Sequence, residues 1–185
     1  GVRVGRGLVE PWIEHFFVGP HQMRCSVVTD RLTGDTVVVD GGDEPDRIIA
    51  WIERFEGRGP DWSTGPTSLA AAQAMNVPLR KVVALVNTHA HFDHSGFIPV
   101  LSEHFKVDWY LHPDDTFLQT LAQQSGRRYG LSLPEPPVAD QHLVPDSTMM
   151  FGSVPIRVLH TPSHTLGGCC LLVNVEDDAD HVFVG

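Results

Sequence analysis

A short string rich in histidine, THAHFDHSG, follows directly after the apolar run KVVALVN and constrains the fold more than any other feature of this sequence. The run at 81–87 is rich in valine and bounded by polar residues, which predicts a strand buried on both faces. Beyond the string, Phe97, Leu101 and Phe105 recur at helical spacing and predict a helix. The histidine-rich string is therefore expected to form a loop between a buried strand and a helix.

Four side chains of this string are candidate metal ligands, namely His89, His91, Asp93 and His94. In an extended segment, residues i and i+2 point to the same side, so His89 and His91 can hold one ion together. Asp93 shares that parity, whereas His94 can join it only where the chain turns, as a strand-to-helix loop must. Each residue alone has an ordinary alternative as a helix cap or a surface group. Taken together, they predict two adjacent metal sites.

A second histidine-containing loop, HTPSHTLGG, lies between predicted strands at 155–159 and 169–175. A mononuclear zinc site needs at least a third protein ligand, and His164 in this loop is the candidate for it. His160 lies at the end of the preceding strand, where we expect it to support the site, and direct binding of the ion by His160 is the alternative.

Composition narrows the class of partner. Eleven histidines among 185 residues favour metal or proton chemistry, whereas a net charge of −10 opposes binding to a phosphate backbone, so no nucleic acid partner is expected. The sequence has no apolar run near the roughly 18 residues of a membrane span. Cys25, Cys169 and Cys170 lack disulfide or metal-ligand spacing and are expected in the core. We therefore expect a cytoplasmic protein that acts on a small molecule away from membranes.

The remaining sequence alternates short strand and helix patterns. Beta-rich runs at 23–29 and 36–40 flank a turn-type sequence and predict an antiparallel hairpin. Other predicted elements are helices at 46–56, 68–75 and 113–124 and strands at 107–111 and 181–184. Trp51 is expected in the core, while His112 and His142 are expected at the surface or as caps.

THAHFDHSG resembles the H-x-H-x-D-H signature of the metallo-β-lactamase superfamily. HTPSHTLGG is similar to the HTPGHTPG segment of hydrolases in that superfamily, especially those of the glyoxalase II-like branch. The order of strand, hairpin, VVVDGG, helix and KVVALVNTHAHFDH also resembles that family over nearly the whole chain. The resemblance implies one domain over residues 1–185, with the α/β fold of a four-layer αββα sandwich and metals at one edge between its two sheets.

The resemblance also implies a set of metal ligands. His89, His91 and His164 would bind the first divalent ion, and Asp93 and His94 the second; zinc is the first choice, with iron and manganese as alternatives. In such proteins a later aspartate bridges both ions and a later histidine completes the second site. Neither is assigned within this sequence, so the domain is expected to be incomplete at its C-terminal side.

These features predict a metal-dependent hydrolase in which a metal-activated water cleaves a thioester, ester or amide bond. Asp93 would position the attacking hydroxide while it holds the second ion. Asp40, which ends a predicted strand, is expected either to support a metal ligand or to serve a turn. Two other functions fit the same residues: an iron-dependent persulfide dioxygenase of this fold and, for the chain in its truncated form, a metal-binding domain without catalytic activity.

Overall fold

The computed structural model of the protein describes residues 11–58, 68–89, 97–113, 139–161, 168–173 and 181–184. Within these ranges the helices are α1 (Pro45–Glu53), α2 (Leu69–Ala74) and α3 (Ile98–Phe105). One sheet, here called sheet A, contains β1 (Trp12–Val18), β2 (Met23–Thr29), β3 (Asp35–Val39), β4 (Lys81–Val86), β5 (Trp109–Leu111) and β6 (Gln141–His142) in that order. The other, sheet B, has the order β10 (His181–Val184), β9 (Cys169–Val173), β8 (Val154–His160) and β7 (Ser147–Phe151).

The predicted hairpin is confirmed at the start of sheet A. Strand β2 pairs antiparallel with β3, from Ser26 opposite Val39 to Thr29 opposite Thr36. Its turn needs a left-handed residue, and Gly34 supplies it with φ of +82°. The Gly34 N–H donates to the Asp30 carbonyl at 2.8 Å, which closes the turn.

Alanine at position 34 is expected to lower the free energy of unfolding by about 2 kcal/mol or more. An added methyl would overlap the Leu79 carbonyl oxygen, and the positive φ would strain any residue with a Cβ. Chemical denaturation of the variant would measure the loss. Gly57→Ala is a matched control, since its φ is also positive, +79°, but its nearest neighbour is a flexible leucine methyl at 3.9 Å. Equal losses for the two variants would contradict the role of the Leu79 overlap.

Strands β3, β4, β5 and β6 run parallel to one another. Their carboxyl ends therefore lie at the same edge of sheet A, here called the carboxyl edge. Strand β4 is buried along most of its length, as its apolar sequence predicts, and it leads directly to Thr88 and His89. His89, the first histidine of the motif, thus lies just beyond this edge, where ligand sites of parallel sheets usually form.

Two apolar cores hold the layers together. One lies between sheet A and helices α1 and α3 and includes Val38, Ile48, Leu85 and Leu101. The other lies between the two sheets and includes Val39 and Val86 from sheet A with Val158, Leu171 and Val173 from sheet B. The described residues thus form a helix layer against two packed sheets, in agreement with the predicted α/β fold class.

Several other sequence predictions can be compared with the structure. The core positions of Cys25 and Cys169 are confirmed, and burial raises the pKa of the Cys25 thiol, which makes it a poor nucleophile. Trp51 was expected in the core but is 37% exposed. Its ring lies against Phe16 while its indole N–H donates to Glu14, so the amphipathic side chain sits at the rim of the core.

Other expectations have mixed outcomes. The short helix at 68–75 and the strand at 107–111 are present as α2 and β5. Most of the helix predicted at 113–124 lies outside the described residues.

In the described parts of the chain, no helix is long and apolar enough to cross a membrane.

Candidate metal centre

Asp40 fixes the chain where β4 leaves sheet A. It directly follows β3, is 4% exposed and has a left-handed backbone with φ of 56°. One carboxylate oxygen accepts the Thr88 backbone N–H and the other accepts the Thr88 hydroxyl, both at 2.8 Å. Both oxygens therefore hold the residue that precedes His89, which is the contact that the supporting role expected for Asp40 requires.

A chain of hydrogen bonds continues from Asp40 to the ring of His89. The Thr88 hydroxyl donates its proton to the Asp40 carboxylate, so toward the His89 ring its oxygen can act only as an acceptor. His89 Nδ1 lies 3.2 Å from that oxygen, which assigns the proton of the neutral ring to Nδ1. The lone pair is then on Nε2. This is the form in which imidazole binds a metal ion, so His89 fits the predicted role of ligand.

The rest of the predicted ligand set falls on parts of the chain that are not described. His91, Asp93, His94 and His164 lie outside the described residues, whereas His89 is described and is 2% exposed. Among the described residues, no group of three or more histidine, cysteine, aspartate or glutamate side chains is placed to hold a metal. The ligand assignments therefore stay predictions.

The backbone nevertheless brings the two motifs to one place. The Cys169 N–H, at the start of β9, donates to the Thr88 carbonyl at 2.9 Å and joins sheet B to the end of β4. Across the second motif, the Thr161 N–H donates to the Gly168 carbonyl at 2.9 Å. Thr161 and Gly168 are the described residues on either side of the part of the second motif that contains His164, and Gly168 directly precedes Cys169. The described ends of this loop thus lie near Thr88, the first residue of the first motif.

Three further histidines for which the sequence predicts a role, His112, His142 and His160, are among the described residues. His142 is exposed on β6, which confirms one of its expected roles, and His160 ends β8 as expected. The expectation of a surface position for His112 was wrong: it is 4% exposed, and its ring stacks on that of His160. The segment that His112 would cap lies mostly outside the described residues. The sequence did contain a signal, because His112 directly follows the apolar strand β5 at the same sheet edge as His89.

Comparison with known proteins identifies the family. The profile described as "Metallo-beta-lactamase superfamily" matches residues 18–179, which is most of the chain. The chain belongs to the metallo-β-lactamase superfamily. Proteins of this superfamily are mostly metal-dependent hydrolases and bind divalent metal ions, so membership supports the chemistry expected from the two histidine motifs.

Individual members of the metallo-β-lactamase superfamily show how far the similarity extends. A protein of Aquifex aeolicus is 32% identical over 154 residues, which cover 83% of this chain and 61% of the relative. The hydroxyacylglutathione hydrolase GloC of Haemophilus influenzae is 27% identical over 84% of this chain and 63% of its own length. The crystal structure of TTHA1623 in a di-iron-bound form is 28% identical, with a TM-score of 0.63, over 86% of this chain and 66% of that one. The chain therefore spans about three-fifths of the length of these two curated relatives.

Asp40→Asn is expected to weaken binding of zinc by about 10- to 100-fold, the usual effect of losing a partner that orients a ligand. An amide at this position can accept the Thr88 N–H but must donate to the Thr88 hydroxyl oxygen. The hydroxyl would then donate to His89 Nδ1 and leave the proton on Nε2, where it blocks coordination. Competition with a chromophoric chelator would measure the affinity, and ¹⁵N spectra of the metal-free protein would report the tautomer.

A nearby acidic residue provides the control for this substitution. Asp43 lies in the same loop, and its carboxylate accepts the Glu44 N–H without contacting Thr88. Asp43→Asn should leave the affinity for zinc unchanged. Unchanged affinity in Asp40→Asn, or an equal loss in both variants, would contradict the hydrogen-bond chain from Asp40 to His89.

Proposed function

We propose that the protein is a metal-dependent hydrolase of a small-molecule thioester, ester or amide, and that a hydroxyacylglutathione-type thioester is its substrate class. The observation that carries the proposal is the bond between the Cys169 N–H and the Thr88 carbonyl, because it brings the flanks of both histidine motifs to the same strand end. The similarity to GloC, named as a hydroxyacylglutathione hydrolase, supports a thioester over the other two bonds.

In this proposal, His89, His91 and His164 would hold one divalent ion, and Asp93 and His94 a second. A donor set of imidazoles and carboxylate suits zinc, iron and manganese. We propose zinc, and the di-iron-bound form of TTHA1623 makes iron the main alternative. Bound divalent ions would lower the pKa of water at the site and polarise the bond that is cleaved.

The protein's own residues would supply position and orientation. Asp40 holds Thr88 through two hydrogen bonds, and the Thr88 hydroxyl accepts from His89 Nδ1, so Nε2 would be the atom of His89 that coordinates a metal ion. The Asp93 carboxylate would orient the attacking water by accepting a hydrogen bond from it. No serine or cysteine nucleophile is needed. The cysteine farthest from the motifs in sequence, Cys25, is fully buried in the core.

The test combines metal analysis with a small panel of substrates. The purified protein should contain about two equivalents of divalent metal, as in two-metal hydrolytic sites. It should cleave a hydroxyacylglutathione thioester faster than an aryl ester or a cephalosporin lactam. Treatment with a chelator should abolish this activity, and added zinc or iron should restore it. Hydrolysis that survives chelation would contradict the proposal.

The two alternative functions give different results in the same assays. A persulfide dioxygenase would consume oxygen with glutathione persulfide in its iron form and would leave the thioester intact. A metal-binding domain without catalytic activity would contain metal but turn over none of the substrates. Either result would replace the hydrolase proposal.

A further inference from the structure

Two imidazole rings from opposite sheets meet in the structure. His112 directly follows β5 in sheet A, and His160 is the last residue of β8 in sheet B. The rings are stacked, with centroids 4.1 Å apart and planes inclined by 14°. His112 is 4% exposed and His160 is half-buried, so the stacked pair forms a partly buried bridge between the sheets.

On the side of sheet A, the backbone places this bridge at the carboxyl edge. The Asn87 N–H donates to the Tyr110 carbonyl at 3.1 Å, which aligns the end of β4 with the end of β5. His89 lies two residues beyond Asn87, and His112 lies two residues beyond Tyr110. The bridge is therefore level with the predicted metal ligand His89.

On the side of sheet B, the bridge lies at the base of the loop that carries His164. His160 is paired with Cys169 across β8 and β9, and the next residue, Thr161, donates its N–H to Gly168. These two pairings close the loop at both of its ends. The His160 ring thus belongs to the last residue of β8 before the loop leaves the sheet.

A second aromatic contact between the sheets lies two residues earlier, where the Tyr110 ring meets Phe151 edge to face with centroids 4.8 Å apart. That contact belongs to residues within β5 and β7. The His112–His160 stack differs from it by its place, because it lies just past the end of β5 and at the last residue of β8 before the second motif.

We propose that His112 is a positioning residue for the metal centre. Its ring supports His160 and so fixes Thr161 and Gly168, the described ends of the loop whose sequence contains His164. This inference rests on the proposed function, because it takes His164 as a ligand of the first metal. It adds a residue from β5, outside both histidine motifs, to the machinery of the site.

The test compares two variants of His112 in the purified protein. His112→Ala removes the stack and should weaken zinc binding by about tenfold or more. His112→Phe keeps a flat ring against His160 and should restore affinity to near the wild-type value. In metal-free protein, amide hydrogen exchange of Thr161 should become about tenfold faster in the alanine variant, because the base of the loop opens more often.

Tyr110→Leu is the matched control, since it removes the neighbouring aromatic bridge and keeps a buried apolar side chain. It should lower stability but leave zinc affinity and Thr161 exchange unchanged. Wild-type affinity and exchange in His112→Ala, or equal losses in Tyr110→Leu, would overturn the positioning role while leaving the proposed function intact. Wild-type protein that binds no divalent metal would instead overturn the proposed function.

Discussion

Substitution of His89 by alanine is expected to lower the rate of the proposed hydrolysis by about 100-fold or more and to reduce the metal content of the protein. Loss of a residue that merely orients a ligand costs about 10- to 100-fold in affinity or activity, and loss of a ligand should cost at least as much. The fold should tolerate the change. His89 follows β4 rather than lying within it, and the Thr88 backbone keeps its bonds to Asp40 and Cys169.

The measurements for His89→Ala are steady-state hydrolysis of the thioester and metal analysis after gel filtration. His142→Ala is the matched control, because His142 is exposed on β6 and belongs to neither motif. It should keep wild-type rates and metal content. A His89→Ala protein with wild-type activity would show that the hydrolytic site lies elsewhere or that His89 is not a ligand.

The largest expected effect on stability comes from a buried ion pair at the opposite end of β4. Arg80 Nη1 and Glu14 Oε1 are 2.9 Å apart, with side chains 0% and 6% exposed. Arg80 Nη2 also donates to the Trp51 carbonyl at 3.0 Å, and the Trp51 indole donates to Glu14. Arg80→Met should lower the free energy of unfolding by about 3–5 kcal/mol, because it leaves the Glu14 charge buried without its cation.

This loss should depend on pH in a defined direction. Burial raises the pKa of Glu14 above 4.5, and Arg80 opposes that shift, so the Arg80→Met variant should raise the pKa of Glu14 further. A carboxyl group with a raised pKa in the folded state binds its proton more tightly there than in the unfolded state. Stability is therefore lost as pH rises above 4.5 through the folded pKa. The penalty of Arg80→Met should be larger at pH 8 than at pH 5.

Denaturant unfolding at the two pH values would measure this dependence. The double variant Glu14→Leu with Arg80→Met is the control, since it removes both charges and should recover most of the loss. It should also show little difference between the two pH values. A single variant as stable as the wild type, or a penalty that shrinks as pH rises, would contradict the proposed balance between burial and ion pairing.

Local sequence pattern accounts for much of the fold. The β2–β3 hairpin, α1, β4 and α3 each combine a clear apolar period with a recognisable turn or helix start, so their positions follow from neighbouring residues. The residues of strand β1, WIEHFFV, do not alternate regularly between apolar and polar, so their own pattern does not predict a strand. It is defined by pairing with β2 along its full length, a contact between strands that no local pattern reports.

Local sequence also predicts only part of the candidate site. The spacing of His89 and its neighbours predicts a shared metal ion, because imidazoles at i and i+2 of an extended segment point to the same side. The supporting contacts of Asp40 and His112 depend on which strand ends lie together at the carboxyl edge. That arrangement comes from the parallel order of β3, β4 and β5, which is a property of tertiary structure. Without this order, the sequence leaves Asp40 open between a turn and a supporting role and gives His112 only a surface or capping role.

The two ends of strand β4 carry different contacts. Arg80, with its ion pair, directly precedes β4, and Thr88, with its link to the histidine motifs, lies just past its end, about 26 Å farther on at the rise of an extended chain. Under the proposed function, mutant libraries directed at residues beyond Thr88 would vary substrate preference while the ion pair at the other end keeps the scaffold stable. Engineering for heat tolerance would begin at the Arg80 end, far along the strand from the predicted ligand His89.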